Sequence, residues 1–329
     1  MEKIINVTDL TKVFMLQKHY RGFGGSLRGL ISRQSTEIRA VDGVTFSIDK
    51  GECVGYIGPN GAGKSTTIKM LTGLLVPTGG IINVNGFLPW RERTKFVAKI
   101  GVVFGQRTTL WWDLPVIESL DLLKHIYRIP PDRYKSNLDL FRGMLELDNF
   151  LDTPVRALSL GQRMRADLCA AMLHNPDLLF LDEPTIGLDV VAKERIRQFI
   201  RQINQTTHTT ILLTTHDLSD VEKLCERVLI IDKGYLLYDG DLDALQKRFG
   251  GKRKLFVDFA ENYPEIDDLG VEILERDGNR AVLAFERDKI SASELIGKIS
   301  QRYRIRDLSV KEPEIENTIR RIYEERLLE

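Results

Sequence analysis

Apolar positions along this chain form short solid runs, separated by stretches with helical spacing. Cys53-Val54-Gly55-Tyr56-Ile57, Ile100 to Phe104, Leu178 to Leu181 and Ile211 to Leu213 read as buried strands. Residues 4–14 and 41–57 are also strand-like, as in Val44-Thr45-Phe46-Ser47-Ile48. Ile81 to Val84 predicts a further strand, with Asn85-Gly86 as its turn. Ser65 to Leu75 and Val190 to Ile203 read as helices, and residues 110–151 are helical, punctuated by Pro130-Pro131. Strands alternating with helices predict an α/β fold with a parallel sheet covered on both faces.

The composition shifts after Phe249-Gly250-Gly251, and the tail is richer in charge. It reads as a strand (Lys254 to Phe259), a hairpin (Val271 to Phe285) turning at Asp277-Gly278, a helix (Ser291 to Ile299), a strand (Ile305 to Val310) and a helix (Pro313 to Leu327). This predicts a small α+β domain over 252–329, separate from a larger one over 1–245. Ile315, Ile319 and Ile322 share one stripe of the last helix, which would pack on its own small domain or on a partner's tail.

With 329 residues the chain is long enough for two or three domains, and no internal repeat is visible. Its 47 basic residues balance its 47 acidic ones, so no overall field favours nucleic acid, and no nucleic-acid partner is expected. Locally, residues 17–39 hold Lys18, Arg21, Arg28, Arg33 and Arg39 against Glu37, broken by glycines. That segment is a solvated loop or a contact for lipid headgroups or a partner. No apolar run approaches the ~18 residues of a membrane span, and no signal peptide is expected at Met1-Glu2-Lys3. Cys53, Cys169 and Cys225 are odd in number and far apart, which suggests neither a disulfide framework nor a metal pair, and a reduced, cytosolic setting.

Candidate chemistry centres on Gly58-Pro59-Asn60-Gly61-Ala62-Gly63-Lys64-Ser65-Thr66, which fits the phosphate-loop pattern G-x-x-x-x-G-K-[ST]. Glycines let backbone N–H groups approach phosphate oxygens, Lys64 supplies a positive charge, and the Ser65 hydroxyl suits Mg²⁺. The helix that follows points its positive end at the phosphates. Leu178 to Leu181 ends in Asp182 and Glu183, where a strand end holds carboxylates rigidly. Asp182 suits a Mg²⁺ ligand and Glu183 a base for the attacking water; on their own, the same residues merely end a strand at a turn. Ser159 in Leu158-Ser159-Leu160-Gly161-Gln162 reads as a helix N-cap or as part of a second phosphate-binding helix end.

Taken together, these motifs resemble the ATP-binding cassette family, the motor subunits of ABC transporters, over roughly residues 1–245. Gly58 to Thr66 is similar to its Walker A loop, Leu178 to Asp182 to its Walker B strand, and Glu183 to its catalytic glutamate. Gln106 matches the Q-loop glutamine, which would sense Mg²⁺ and the water. Ser159, Gly161 and Gln162 match the signature motif, Gly187-Leu188-Asp189 the D-loop, and His216 the switch histidine. The resemblance implies a P-loop cassette with a mostly parallel core sheet, an antiparallel β subdomain and a helical subdomain at about 107–165. It also implies ATP with Mg²⁺ and a head-to-tail homodimer in which one chain's signature completes the other's phosphate site. Leu160 stands where the family's signature usually has glycine. Phe14 matches the residue that stacks on adenine, with core packing as its alternative.

Transport would then require a separate membrane permease, with this chain held by it at the cytoplasmic face of the plasma (inner) membrane. Trp111-Trp112 would grip a permease helix or fill the helical subdomain. The small tail and the run Ile186 to Glu194 resemble the export-type branch that pairs with ABC-2-type permeases. Import, and less closely DNA or translation processes, are the alternatives.

Overall fold

The computed structural model describes residues 2–17, 35–105, 107–262, 270–286 and 288–324. Most of the basic segment 17–39 lies outside them, as does Gln106. The chain divides into two units, Met1–Gly240 and Asp241–Glu329.

In the first unit, β1 (Lys3–Gln17), β2 (Ser35–Asp49) and β4 (Gly79–Val84) form an antiparallel sheet in the order β2-β1-β4. The Asn85-Gly86 turn lies where the sequence puts it: Val84 and Phe87 exchange both backbone hydrogen bonds around it. The second sheet has the order β5-β6-β7-β3-β8-β9, from β3 (Cys53–Ile57), β5 (Ile100–Phe104), β6 (Leu178–Asp182), β7 (Thr210–Thr214), β8 (Arg227–Asp232) and β9 (Tyr235–Asp241). Strands β5, β6, β7, β3 and β8 pair in parallel, so their carboxyl ends share one edge.

The solid apolar runs are buried as their pattern requires. Leu178, Leu179, Phe180 and Leu181 of β6 are all fully covered. Each such side chain contributes about 1.5–3 kcal/mol by leaving water. Phe180→Ala would cost about 3–5 kcal/mol through lost contacts and the cavity left behind.

Helices α1 (Lys64–Leu71), α2 (Arg93–Val97), α3 (Val116–Ile126), α4 (Pro131–Leu145), α5 (Leu160–Met172), α6 (Val190–Thr207) and α7 (Leu218–Leu224) complete this unit. Pro131 is the first residue of α4, where its missing N–H is harmless. Helix α1 stops at Leu71, short of Leu75, because the chain turns at Gly73 close against the Pro89 carbonyl. Strands β8 and β9 escaped the sequence reading, although Val228 to Ile231 is a solid apolar run and Lys233-Gly234 a turn dipeptide with positive φ at both residues.

The second unit comprises α8 (Leu242–Phe249), β10 (Arg253–Phe259), β11 (Glu272–Asp277), β12 (Arg280–Phe285), α9 (Ala292–Arg302), β13 (Ile305–Lys311) and α10 (Ile315–Glu324). Its antiparallel sheet, β11-β12-β10-β13, packs Leu255, Val257, Phe259, Leu283 and Phe285 against Leu295 and Ile299 of α9. The β11–β12 turn is Gly278-Asn279, one residue later than the sequence reading. Gly278 supplies the positive φ, 53°, at the first central position, and Asp277 still pairs with Arg280 in the ladder. Ile315, Ile319 and Ile322 are buried within this unit, where α10 packs on α8.

Candidate functional site

Strand β3 runs into the loop 58–63 and then into α1. Gly63 has φ 110°, and a Cβ there would lie 2.4 Å from the Ala40 carbonyl oxygen. No other residue fits that position. Gly63 caps α1 without a side chain, so the first-turn amides of Lys64, Ser65 and Thr66 have no partner within the helix. Lys64 folds back over the loop: Nζ donates to the Gly58 carbonyl at 2.6 Å and to that of Pro59 at 3.2 Å. Burial holds its pKa below the usual lysine value, against the pull of the Glu183 and Asp182 carboxylates. A buried ammonium on neutral carbonyls is set to exchange them for anionic oxygens.

Parallel pairing of β6 with β7 sets Asp182 opposite Thr214, so residues 183 and 215–216 leave adjacent strand ends. Asp182 Oδ1 accepts from Thr214 Oγ1 at 2.5 Å and from Ser65 Oγ at 3.3 Å. One carboxylate and one hydroxyl suit Mg²⁺ that takes its remaining ligands from phosphate and water. This donor set needs no larger cluster, and among the described residues no group of three His, Cys, Asp or Glu is placed to hold a metal.

Glu183 adopts a left-handed backbone, φ 57°, which is costly for a residue with a side chain. Its neighbours hold it there. Its N–H donates to the Thr214 carbonyl at 2.9 Å, and the Gly105 N–H donates to the Asp182 carbonyl at 2.7 Å. A Cβ on Gly105 would lie 2.1 Å from the Glu183 carbonyl oxygen, so this close approach requires glycine. The Glu183 side chain meets His216, with Oε2 2.7 Å from Nδ1. An ionised carboxylate accepts only, so Nδ1 carries the proton of that bond.

Asn60, Ser65, Arg107, Asp182, Glu183 and His216 line one cavity of about 590 Å³. The structure therefore joins residues scattered along the sequence at the carboxyl edge of the sheet, where parallel α/β folds bind ligands. Sequence reading missed Thr214, which orients Asp182, and Arg107; the hydroxyl in Thr214-Thr215-His216 was the available signal for the first. Phe14 lies on β1, 36% exposed, with Lys12 Nζ 5.2 Å from its ring centre. It is not among the residues lining the cavity.

Ser159, Gly161, Gln162 and Asp189 are not among the lining residues either. Ser159 caps α5 in a reciprocal box: its Oγ accepts from the Gln162 N–H at 3.2 Å, and Gln162 Oε1 accepts from the Ser159 N–H at 2.9 Å. Asp189 caps α6 by accepting from the Ala192 N–H at 2.9 Å. These two helix starts touch. A Cβ on Gly161 would lie 3.3 Å from Ala192 Cβ, and one on Gly187 3.1 Å from the Leu160 side chain.

Known proteins resemble this chain in sequence and fold. A family model described as ABC transporter matches residues 41–186. The linearmycin resistance ATP-binding protein LnrL of Bacillus subtilis is 32% identical over 84% of this chain and 91% of its own. The Nod factor export ATP-binding protein I of Ralstonia nicotianae is 35% identical, covering 65% of this chain and 66% of its own. Among solved structures, the dimeric ATP-binding cassette MJ0796, in a post-hydrolysis state bound to ADP and Pi, aligns with a TM-score of 0.60 and 26% identity over 72% of this chain and 98% of that one. With a relative this similar across nine-tenths of its length, and a cavity built from the phosphate loop, two strand-end carboxylates and a histidine, the chain belongs to the ABC transporter family as an ATP-binding, ATP-hydrolysing subunit.

Proposed function

We propose that this chain is the motor of an exporter. It would act as a head-to-tail homodimer on a separate membrane permease, at the cytoplasmic face of the plasma (inner) membrane. Among the described residues no helix is long and apolar enough to cross a membrane, so a transporter subunit of this kind needs a spanning partner. The observation that carries the dimer is the separation of two groups. Asn60, Ser65, Asp182, Glu183 and His216 gather at one cavity, while Ser159, Gly161 and Gln162 are absent from its lining. A second copy would bring its α5 start to the open side of that cavity.

Loop amides would take the triphosphate oxygens, and Lys64 would leave the Gly58 and Pro59 carbonyls for the β- and γ-phosphates. Ser65 and Asp182 would hold Mg²⁺, which neutralises phosphate charge when bound. Glu183 would take a proton as water attacks the γ-phosphorus and the bond to the ADP oxygen breaks. His216 would leave Glu183 for the γ-phosphate, so ATP entry and release of the base are linked. Gln106, outside the described residues, would sense the water, and Phe14 would stack on adenine. Two features support export: the relatives named for resistance and export, and the small α+β tail.

The Glu183→Gln variant is expected to bind ATP, lose hydrolysis by roughly 10²–10⁴-fold, and accumulate as a dimer in gel filtration with Mg-ATP. A fully active, monomeric variant would overturn the assignment. Lys64→Ala is expected to weaken ATP binding about 10–100-fold, the value of a charge-assisted hydrogen bond; unchanged affinity would refute the role of the loop. Copurification of the permease, followed by ATPase assays with candidate cargoes, identifies what is moved.

A further inference from the structure

We propose that the buried Asp220–Arg197 pair is a positioning device that holds Glu183 and His216 in register and ties them to α6. This inference rests on the roles given to Glu183 and His216 above. Asp220, on α7, is fully buried, and Arg197, on α6, is 4% exposed. One carboxylate oxygen of Asp220 takes the Arg197 fork, with Nε at 2.6 Å and Nη2 at 2.5 Å. The other accepts from Thr185 Oγ1 at 2.5 Å and Thr215 Oγ1 at 3.1 Å. Thr185 follows Glu183 by two residues, and Thr215 immediately precedes His216. A single buried oxygen thus ties the two chain segments that carry the proposed base and its histidine.

His216 is also fixed from its other side. The Asp217 N–H donates to Thr215 Oγ1 at 3.0 Å, and Lys193 Nζ donates to Asp217 Oδ2 at 2.5 Å. Burial opposes charge on Asp217, but the Lys193 ammonium and the Ser219 hydroxyl hold its pKa below the usual carboxylate range. Both of His216's neighbours are therefore anchored, and its ring lines the cavity with Nδ1 on Glu183.

A buried ion pair is a poor way to gain stability, because desolvation offsets most of the attraction. An apolar pair would fill this space at least as well. An apolar pair, though, would not hold two hydroxyls at one point. The pair has a second consequence. Lys193 and Arg197 belong to α6, whose first turn touches the start of α5 at Ala192 and Gly161. Seating a second copy against α5 and α6 would move the same helix that holds the Glu183 and His216 segments. Dimer closure and alignment of the base would then be one event.

None of these residues touches nucleotide in this scheme, so they should affect turnover and leave binding alone. The test is Thr185→Val with Thr215→Val, singly and together. Each removes a hydroxyl at constant volume and keeps the ion pair. The double variant is expected to lose kcat on the order of 10–100-fold, as misplacement of a reacting group by up to about 1 Å does, with KM and ATP affinity unchanged. Thr185→Ser is expected to restore turnover, and Arg197→Lys, which keeps the charge but breaks the fork, to repeat the loss. If the double variant keeps kcat within about twofold while its Tm falls, the pair is structural and the inference fails. Glu183→Gln, run alongside, separates the two failures. Should that variant still hydrolyse ATP, the reading of the site fails; should it be inactive while the threonine variants run normally, only this inference does.

Discussion

Two helix starts in the first unit, those of α1 and α5, answer the same problem in opposite ways. Both leave first-turn amides unpaired by the helix itself and point a positive dipole end outward. At α1 nothing caps the start; Gly63 has no side chain, and the Lys64 ammonium rests on loop carbonyls. At α5 the chain satisfies itself, with Ser159 and Gln162 exchanging two hydrogen bonds. The first would serve, under the proposed function, as an anion site completed by its ligand. The second is stable when empty, yet the Ser159 hydroxyl proton remains available to donate. In the proposed scheme, a subunit built this way would bind nucleotide at one helix start by itself and offer the other to a second copy at little cost.

Ser159→Asp would break that comparison most severely. Aspartate caps a helix as well as serine, so stability should change by less than about 0.5 kcal/mol. Its carboxylate, however, would face the triphosphate held by the second copy, and like charges in such a contact cost several kcal/mol. ATPase activity and Mg-ATP-dependent dimerisation should fall by more than about 100-fold. ATP affinity of the monomer, read by equilibrium binding, should be unchanged. A matching fall in monomer affinity would mean that α5 helps to form the same chain's site.

How legible each helix start was follows from the reach of its interactions. The α1 site is local: strand, loop and helix are contiguous, so residues 53–71 carried both element and chemistry. Asp182 and Glu183 were legible as the end of the solid apolar run Leu178 to Leu181, and the phosphate loop elsewhere in the chain gave those carboxylates a chemical meaning. The α5 cap was visible as Ser159, and its partner Gln162 lies three residues on. What stayed hidden was non-local. Nothing in Thr185, Thr215 and Asp220 announces that three segments meet at one oxygen. Arg197 reads as one more charge on the polar face of an amphipathic helix, yet it is buried. The left-handed backbone of Glu183 is imposed by β5 and β7, which its own neighbours do not encode.

The far end of α5 is anchored too, and pH should loosen it without touching α1. His174, just past that end, stacks on Tyr127 with ring centres 4.0 Å apart, and its Nε2 lies 3.0 Å from the Ile100 carbonyl oxygen. A carbonyl accepts only, so Nε2 bears the hydrogen, while the buried Nδ1 has no partner among the described residues. Burial pushes the pKa down to about 4. The unfolded chain, with an ordinary value of about 6.5, binds the proton more readily, so stability falls as pH drops. The contribution is complete above about pH 6.5 and is lost as pH falls toward 4. About 2 kcal/mol should be gone by pH 5. Chemical denaturation at pH 7.5 and 5 should show this loss in the natural chain and a smaller one in His174→Gln. Equal losses in both would place the sensitivity elsewhere.

Gln162→Ala is the smallest change and the finest probe of the comparison. It removes one of the two reciprocal bonds, because the amide of residue 162 can still donate to Ser159 Oγ. Losing that bond costs about 0.5–1 kcal/mol, and the better helix propensity of alanine offsets a few tenths. For a chain of this size the melting temperature should drop by about 2 °C or less. ATPase activity should fall no more than about threefold if Gln162 serves only to close the helix start. A loss beyond about tenfold, with melting unchanged, would put the Gln162 side chain on the nucleotide of the second copy. The α5 start would then be like that of α1, with its ligand contacts merely folded inward until a partner arrives.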